Sequence, residues 1–148
     1  MKKNKGLNVF AKSAVAITLI FMMLGSFISC TKKTEFLISS VVPAARGFVK
    51  VKQDKNKNYS IQIHVSDLAE VERLDTLKLS YVAWIETENA SYKNIGQLIS
   101  SASGFSKQYK ANLVTVSSFQ PLKVFITAED DINVQIPDRK VVLTTDWF

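Results

Sequence analysis

The chain of 148 residues contains one cysteine, Cys30, and one histidine, His64. A lone cysteine excludes any intramolecular disulfide, so its position calls for another explanation. A lone histidine leaves no ligand set of the zinc type. No partner acid and nucleophile stand where they would make His64 a general base, so it is expected on the solvent side of a strand. Beyond the amino-terminal apolar run there is no sustained helical period, which points to a strand-built fold. Excess charge is also scarce once position is considered. Of the 19 Lys and Arg, four (Lys2, Lys3, Lys5 and Lys12) precede the apolar run, where no acid lies, so residues 30–148 carry 15 cations against 13 acids, a net +2. The basic pI is thus mostly a property of the leader, and no nucleic-acid partner is expected.

What is present begins with that leader. A lysine-rich start, an apolar run over residues 13–29 and a small residue before Cys30 make the layout of a secretory signal. Phe27-Ile28-Ser29-Cys30 resembles the lipobox of bacterial lipoproteins, with Phe27 standing where that pattern usually has Leu. The resemblance implies cleavage before Cys30, diacylation of its thiol and usually acylation of the new amino terminus. Buried acyl methylenes contribute about 0.8 kcal/mol each and one chain holds only marginally, so stable anchoring takes two or more. The alternative is that residues 13–29 stay as an uncleaved span, near the lower limit of about 17–25 residues. Either way the leading lysines favour a cytoplasmic amino end and place the remainder outside the cytoplasm. The expected division is a signal peptide over 1–29, the acylated cysteine with a short tether over 30–34, and one domain over 35–148. Residues 31–34 would reach at most roughly 15 Å from the membrane.

The domain is expected to be all-β, an antiparallel sandwich of about seven strands following the apolar signal helix. Residues 36–42 read as a first strand ended by Pro43. In residues 45–52, Val49 and Val51 alternate with Phe48, Lys50 and Lys52, and residues 59–65 alternate Ile61, Ile63 and Val65 with Gln62 and His64. Asp54-Lys-Asn-Lys-Asn58 between them reads as a hairpin loop. Residues 66–75 break the alternation, either as one helical turn capped by Ser66 or Asp67 or as a long connection. Residues 77–86 read as the central strand, with Leu77, Leu79, Tyr81, Ala83 and Ile85 on one face. The other face turns apolar at Val82 and Trp84, so a loop or partner is expected to cover it. Residues 87–109 form the least regular section. Residues 110–116 and 122–128 read as a hairpin about residues 117–121, and residues 141–145 as the last strand.

The order of these segments resembles the extracytoplasmic domain of anti-sigma-K-type factors. The residues that carry it are Pro43-Ala-Ala-Arg-Gly-Phe-Val-Lys-Val51, Ile61-Gln-Ile-His-Val-Ser-Asp-Leu68, Tyr81-Val-Ala-Trp-Ile85, Ile95-Gly-Gln-Leu98, Val124-Phe-Ile-Thr-Ala-Glu-Asp130 and residues 137–143. The resemblance implies an immunoglobulin-like sandwich with a Tyr-x-x-Trp strand and a Thr-x-Glu strand end. Only about a dozen residues precede the apolar run, too few for the family's sigma-binding segment, so an accessory or sensory role at the envelope is what the resemblance implies.

Enzymatic function is not expected, because no convergent set of tuned groups is visible. The dense carboxylates are Glu70 with Glu72 and the run Glu129-Asp130-Asp131; Asp130, Asp131 and Asp138 are the acids that would offer Ca²⁺ oxygen ligands, although solvated turns account for them first. No cofactor is expected. Trp84, Tyr92, Phe105 and Trp147 are the candidate partner contacts, since aromatic side chains anchor binding sites, and an envelope protein or glycan is the expected ligand. Trp84 reads equally well as core. The terminal Asp146-Trp-Phe148 is either a docking tail or a segment folded back on the domain. Lys32, Lys33, Lys50, Lys52, Lys55 and Lys57 read first as solvated strand and turn residues, and second as a face toward anionic headgroups near the anchor.

Overall fold

The computed structural model describes residues 31–74, 78–102 and 109–148. The leader, Cys30 and Phe105 lie outside the described residues, as does Leu77. The strands are β1 (Thr31–Glu35), β2 (Arg46–Gln53), β3 (Tyr59–Ser66), β4 (Ser80–Thr87), β5 (Ser91–Ala102), β6 (Tyr109–Ser117), β7 (Lys123–Glu129) and β8 (Val141–Thr144). All eight belong to one sheet, in the order β1-β2-β3-β6-β5-β4-β7-β8, and every neighbouring pair is antiparallel. One-turn 3-10 segments at Val71–Arg73 and Glu88–Ala90 are the only helical pieces among the described residues. The expected antiparallel all-β class is observed.

The β2–β3 hairpin forms where alternation placed it. Val49, Val51, Ile61, Ile63 and Val65 are buried on one face, while the residues between them face outward. Its loop is closed by Asp54, whose Oδ1 accepts the backbone N–H groups of Asn56 (2.8 Å) and Asn58 (2.9 Å). Such an Asx cap needs a short acceptor at the first turn position. Lys57 then takes a positive φ of 65°, and the chain re-enters the ladder at Tyr59.

Three expectations are corrected. The first strand is Thr31–Glu35 and not residues 36–42: Ser39 Oγ accepts the N–H groups of Val41 and Val42 and donates to the Val142 carbonyl, turning the apolar run into a corner. A serine hydroxyl competes with the ladder for those backbone groups. The polar β1 pairs with β2 instead, and an exposed edge suits its lysines and threonines. Second, the section read as irregular contains the longest strand, β5, of 12 residues. Third, β6 and β7 do not form a hairpin. β6 lies between β3 and β5, β7 lies between β4 and β8, and residues 118–122 cross from one to the other.

β5 also explains how one sheet encloses a core. Its first part pairs with β4 as far as Leu98, and from Ile99 it pairs with β6. The β4–β5 register shifts between Ala83 and Trp84, opposite Gly96, whose φ of 126° is a conformation that a side chain would strain. The curl continues until the sheet edges touch. Phe36 bridges Thr145, Leu37 N–H donates to the Thr144 carbonyl (2.8 Å), and Phe36 N–H donates back to Gly47 (3.0 Å). Inside sits one apolar cluster that includes Ile61, Ile63, Tyr81, Ile85, Ile126 and Leu143. Leu79, expected on the inner face of β4, instead precedes the strand and is exposed.

Candidate functional site

β4 and β7 are apolar on both faces. On the outer side Val82, Trp84 and Phe125 make a second buried cluster, against which Val134 packs from the connection between β7 and β8. A loop therefore covers the outer face of the central strand, one of the two covers its sequence called for. Trp84 is fully buried, with its ring stacked at 6.3 Å from that of Phe125, and its Nε1–H donates to Thr127 Oγ1 at 2.8 Å. Its burial supports the core reading of this residue.

The same hydrogen bonds hold the loop. Thr127 Oγ1 donates to the buried carboxylate of Glu129, which also accepts the backbone N–H of Asp138 (2.8 Å). Asp138 in turn pairs with Lys78 at 2.7 Å. The hydrogen bond from Lys78, with that from the Lys140 backbone N–H, holds the Asp138 carboxyl below its usual range; the same bond raises Lys78. Asp131 accepts the backbone N–H of Asn133 at 2.8 Å. Asp131 and Asp138, two of the three aspartates named as Ca²⁺ candidates, thus have separate duties, and no metal-holding group of three such side chains is gathered among the described residues.

Where this loop meets β5, a cleft of about 480 Å³ opens, lined by Tyr92, Asn94, Gly96, Gln97, Asn133 and Gln135, among others. Asn94 fixes one wall: its Nδ2 donates to the carbonyls of Ile132 (2.9 Å) and Val134 (3.1 Å), while its Oδ1 accepts the Gly96 N–H (3.0 Å). Gln97 Nε2 donates to Ser80 Oγ at 2.8 Å, which orients the amide. Tyr92 is 44% exposed and rests edge-on against Phe125, 5.5 Å between centroids. The cleft thus joins an aromatic ring on a rigid strand to several side-chain amides. Its lining contains one charged residue, Lys93, and no carboxylate, histidine or cysteine. No family model, curated protein or solved structure matches the chain.

The other candidates lie apart from this cleft. Trp147 is 57% exposed with Lys123 Nζ 5.5 Å from its ring centroid, while Phe148 folds back, its N–H donating to the Leu122 carbonyl and its side chain packed on the inner core. The tail is thus divided between packing and exposure. His64 faces outward on β3, with Nδ1 2.7 Å from Asn112 Oδ1 and its ring 5.0 Å from that of Phe48. Glu70 pairs with Arg73 (3.1 Å) and accepts the Tyr109 hydroxyl (2.7 Å), a hydrogen bond that lowers the acid and raises the phenol. No described helix is long and apolar enough to cross a membrane.

Of the three aromatic candidates among the described residues, only Tyr92 lines the cleft; Trp84 lies beneath the same loop and Trp147 is elsewhere. The amides Asn94, Gln97, Asn133 and Gln135 were not singled out by sequence. Their signal was a glycine between polar residues within an otherwise strand-like run, Asn94-Ile-Gly96-Gln97, which marks a bulge or a close approach.

Proposed function

We propose that the chain is a lipid-anchored module of the bacterial envelope that binds a polar ligand, such as a glycan, without catalysing its conversion. The observation that carries the binding reading is the Tyr92 cleft, an aromatic surface bordered by oriented amides on a rigid strand. Binding sites combine such apolar surface with a few placed polar groups. Anchoring rests on the leader and on Ser29-Cys30, which immediately precedes the first strand at Thr31. In this reading Cys30 carries the acyl chains and the domain works on the periplasmic or outer face. The resemblance to anti-sigma-K-type extracytoplasmic domains adds a sensory role, with the curled sheet as a variant of the immunoglobulin-like sandwich. A structural place in an envelope assembly is the second reading, favoured by exposed Trp147.

Intact-mass measurement of the membrane-extracted protein, beside Cys30→Ser, tests the anchor. The expected mass is that of residues 30–148 plus acyl chains, absent in the variant; the full chain without acylation would make the leader a span. For binding, Tyr92→Ala should lose retention on purified envelope glycans while melting as the parent does. Equal retention by the variant would remove the cleft from the function.

A further inference from the structure

Charge is distributed very unevenly over the fold. Residues 31–58, which build β1, β2 and the hairpin loop, hold seven Lys and Arg against two acids, a net +5, whereas residues 59–148 hold eight against eleven, a net −3. Strand pairing gathers the cations onto one face. Lys33 stands opposite Lys50, Lys52 opposite Thr31, and Arg46, Ser66 and Lys110 form a row across β2, β3 and β6. The alternate positions Val49 and Val51 are buried, so this row pattern leaves Lys33, Lys50, Lys52, Arg46 and Lys110 exposed on the outside. Phe48 lies among them, partly exposed, with Lys33 Nζ 4.5 Å and Lys50 Nζ 5.4 Å from its ring centroid. Beside it a cavity of about 420 Å³ is bordered by Arg46, Phe48, His64, Lys110 and Asn112, with Glu35 as its one acid.

We infer that this outer face of β1–β2–β3 lies against the anionic headgroups of the membrane that holds the chain. The inference rests on the anchoring proposed above, and adds an orientation to it: β1 begins at Thr31, one residue after Cys30, so an acylated Cys30 puts the Thr31–Lys52 end of this face within a few ångströms of the bilayer. Charge complementarity selects the lipid headgroups as occupant, since clustered Lys and Arg next to an anchor are drawn to anionic lipid and an interspersed aromatic ring suits the interface. The acid-rich remainder is turned away. This leaves the Tyr92 cleft, on β5 and the β7–β8 connection, outside the basic patch.

The full chain as purified from membranes is reconstituted into vesicles of phosphatidylcholine alone or mixed with phosphatidylglycerol, and lysine reactivity toward an amine reagent is read by mass spectrometry. Labelling of Lys33, Lys50 and Lys52 should fall several-fold on the mixed vesicles, that of Lys123 and Lys140 should not change, and high salt should restore the labelling and so abolish the difference. In the double variant Lys50→Gln/Lys52→Gln, Lys33 should lose its dependence on lipid composition, with melting as in the parent. A chain that floats with both vesicles but labels equally in them overturns the orientation and leaves the anchor intact. Equal labelling in vesicles together with protection in intact cells would assign the face to another anionic partner and overturns it also. Flotation with the mixed vesicles alone supports the face and refutes the anchor, whereas flotation with neither refutes both.

Discussion

Trp84 joins two layers of the molecule, since its ring fills the outer cluster and its indole N–H begins the hydrogen-bond chain through Thr127 and Glu129 to Asp138. Truncation to alanine removes a fully buried ring and leaves Thr127 without that donor. Trp84→Ala should therefore lower the free energy of unfolding by about 3–5 kcal/mol, the range for large aromatic truncations, as read by denaturant titration. Trp84→Phe should recover much of that loss, but not the part due to the indole donor. A variant with unchanged melting and lost partner binding would instead place Trp84 at an interface. Further along the same chain, the Lys78–Asp138 pair makes stability depend on pH. Asp138 is held below its ordinary value of 3.8, so its contribution is complete above that value and is lost as pH falls through the lower folded one. Lys78 is held above its ordinary 10.5, so its contribution is complete below that value and is lost as pH rises through the folded one. The melting gap between the parent and Asp138→Asn should thus be flat between about pH 5 and pH 10 and should close at both extremes. A gap that persists into strong acid would count against the pair.

At the scale of elements, what could be read from sequence is what nearest neighbours decide. The β2–β3 hairpin was legible because Val49, Val51, Ile61, Ile63 and Val65 alternate without interruption and Asp54 closes the loop with its own side chain. The cover over Val82 and Trp84 was legible too, because a strand apolar on both faces must be buried on both. Residues 36–42 misled for a local reason: their composition is that of a strand, but Ser39 captures the N–H groups that a ladder would use, and Ile38 is left 80% exposed. β5 misled for a distant one. Its Asn94 serves the loop from Ile132 to Val134, and its bend at Gly96 is needed to pass from β4 to β6. Alternation along one strand holds no record of which strand lies beside it. The crossing from β6 to β7 was hidden in the same way, since a short polar stretch between two strands reads as a hairpin whether or not they pair. Of the cleft, only Tyr92 could be named, because amides bordering a site have no periodicity of their own.

For the molecule as a whole, the consequence of this topology is a sheet that is nearly, but not fully, closed. Seven of its junctions are strand ladders, while the eighth, between the β1 corner and β8, consists of the Phe36–Thr145 bridge, the Leu37 N–H to Thr144 hydrogen bond and the bond from Ser39 Oγ to the Val142 carbonyl. A single backbone hydrogen bond contributes about 0.5–1.5 kcal/mol net, and Leu37 is 51% exposed, so its own side chain adds little apolar burial to the bond it makes. β4, by contrast, is buried on both faces and paired on both sides. Protection should therefore be graded around the curl, with the seam opening by itself and β4 only when the whole fold does. Native-state hydrogen exchange should show the Leu37 amide exchanging through a local opening that denaturant hardly affects, and the amides of residues 82–85 exchanging at the free energy of global unfolding. If Leu37 proves as well protected as Val82, the seam opens only with the rest, and the sheet behaves as a closed barrel. Local opening would instead free the β1 corner from β8 without disturbing the Tyr92 cleft on the other half of the sheet, and in the proposed orientation it would let β1 and its lysines adjust to the lipid surface.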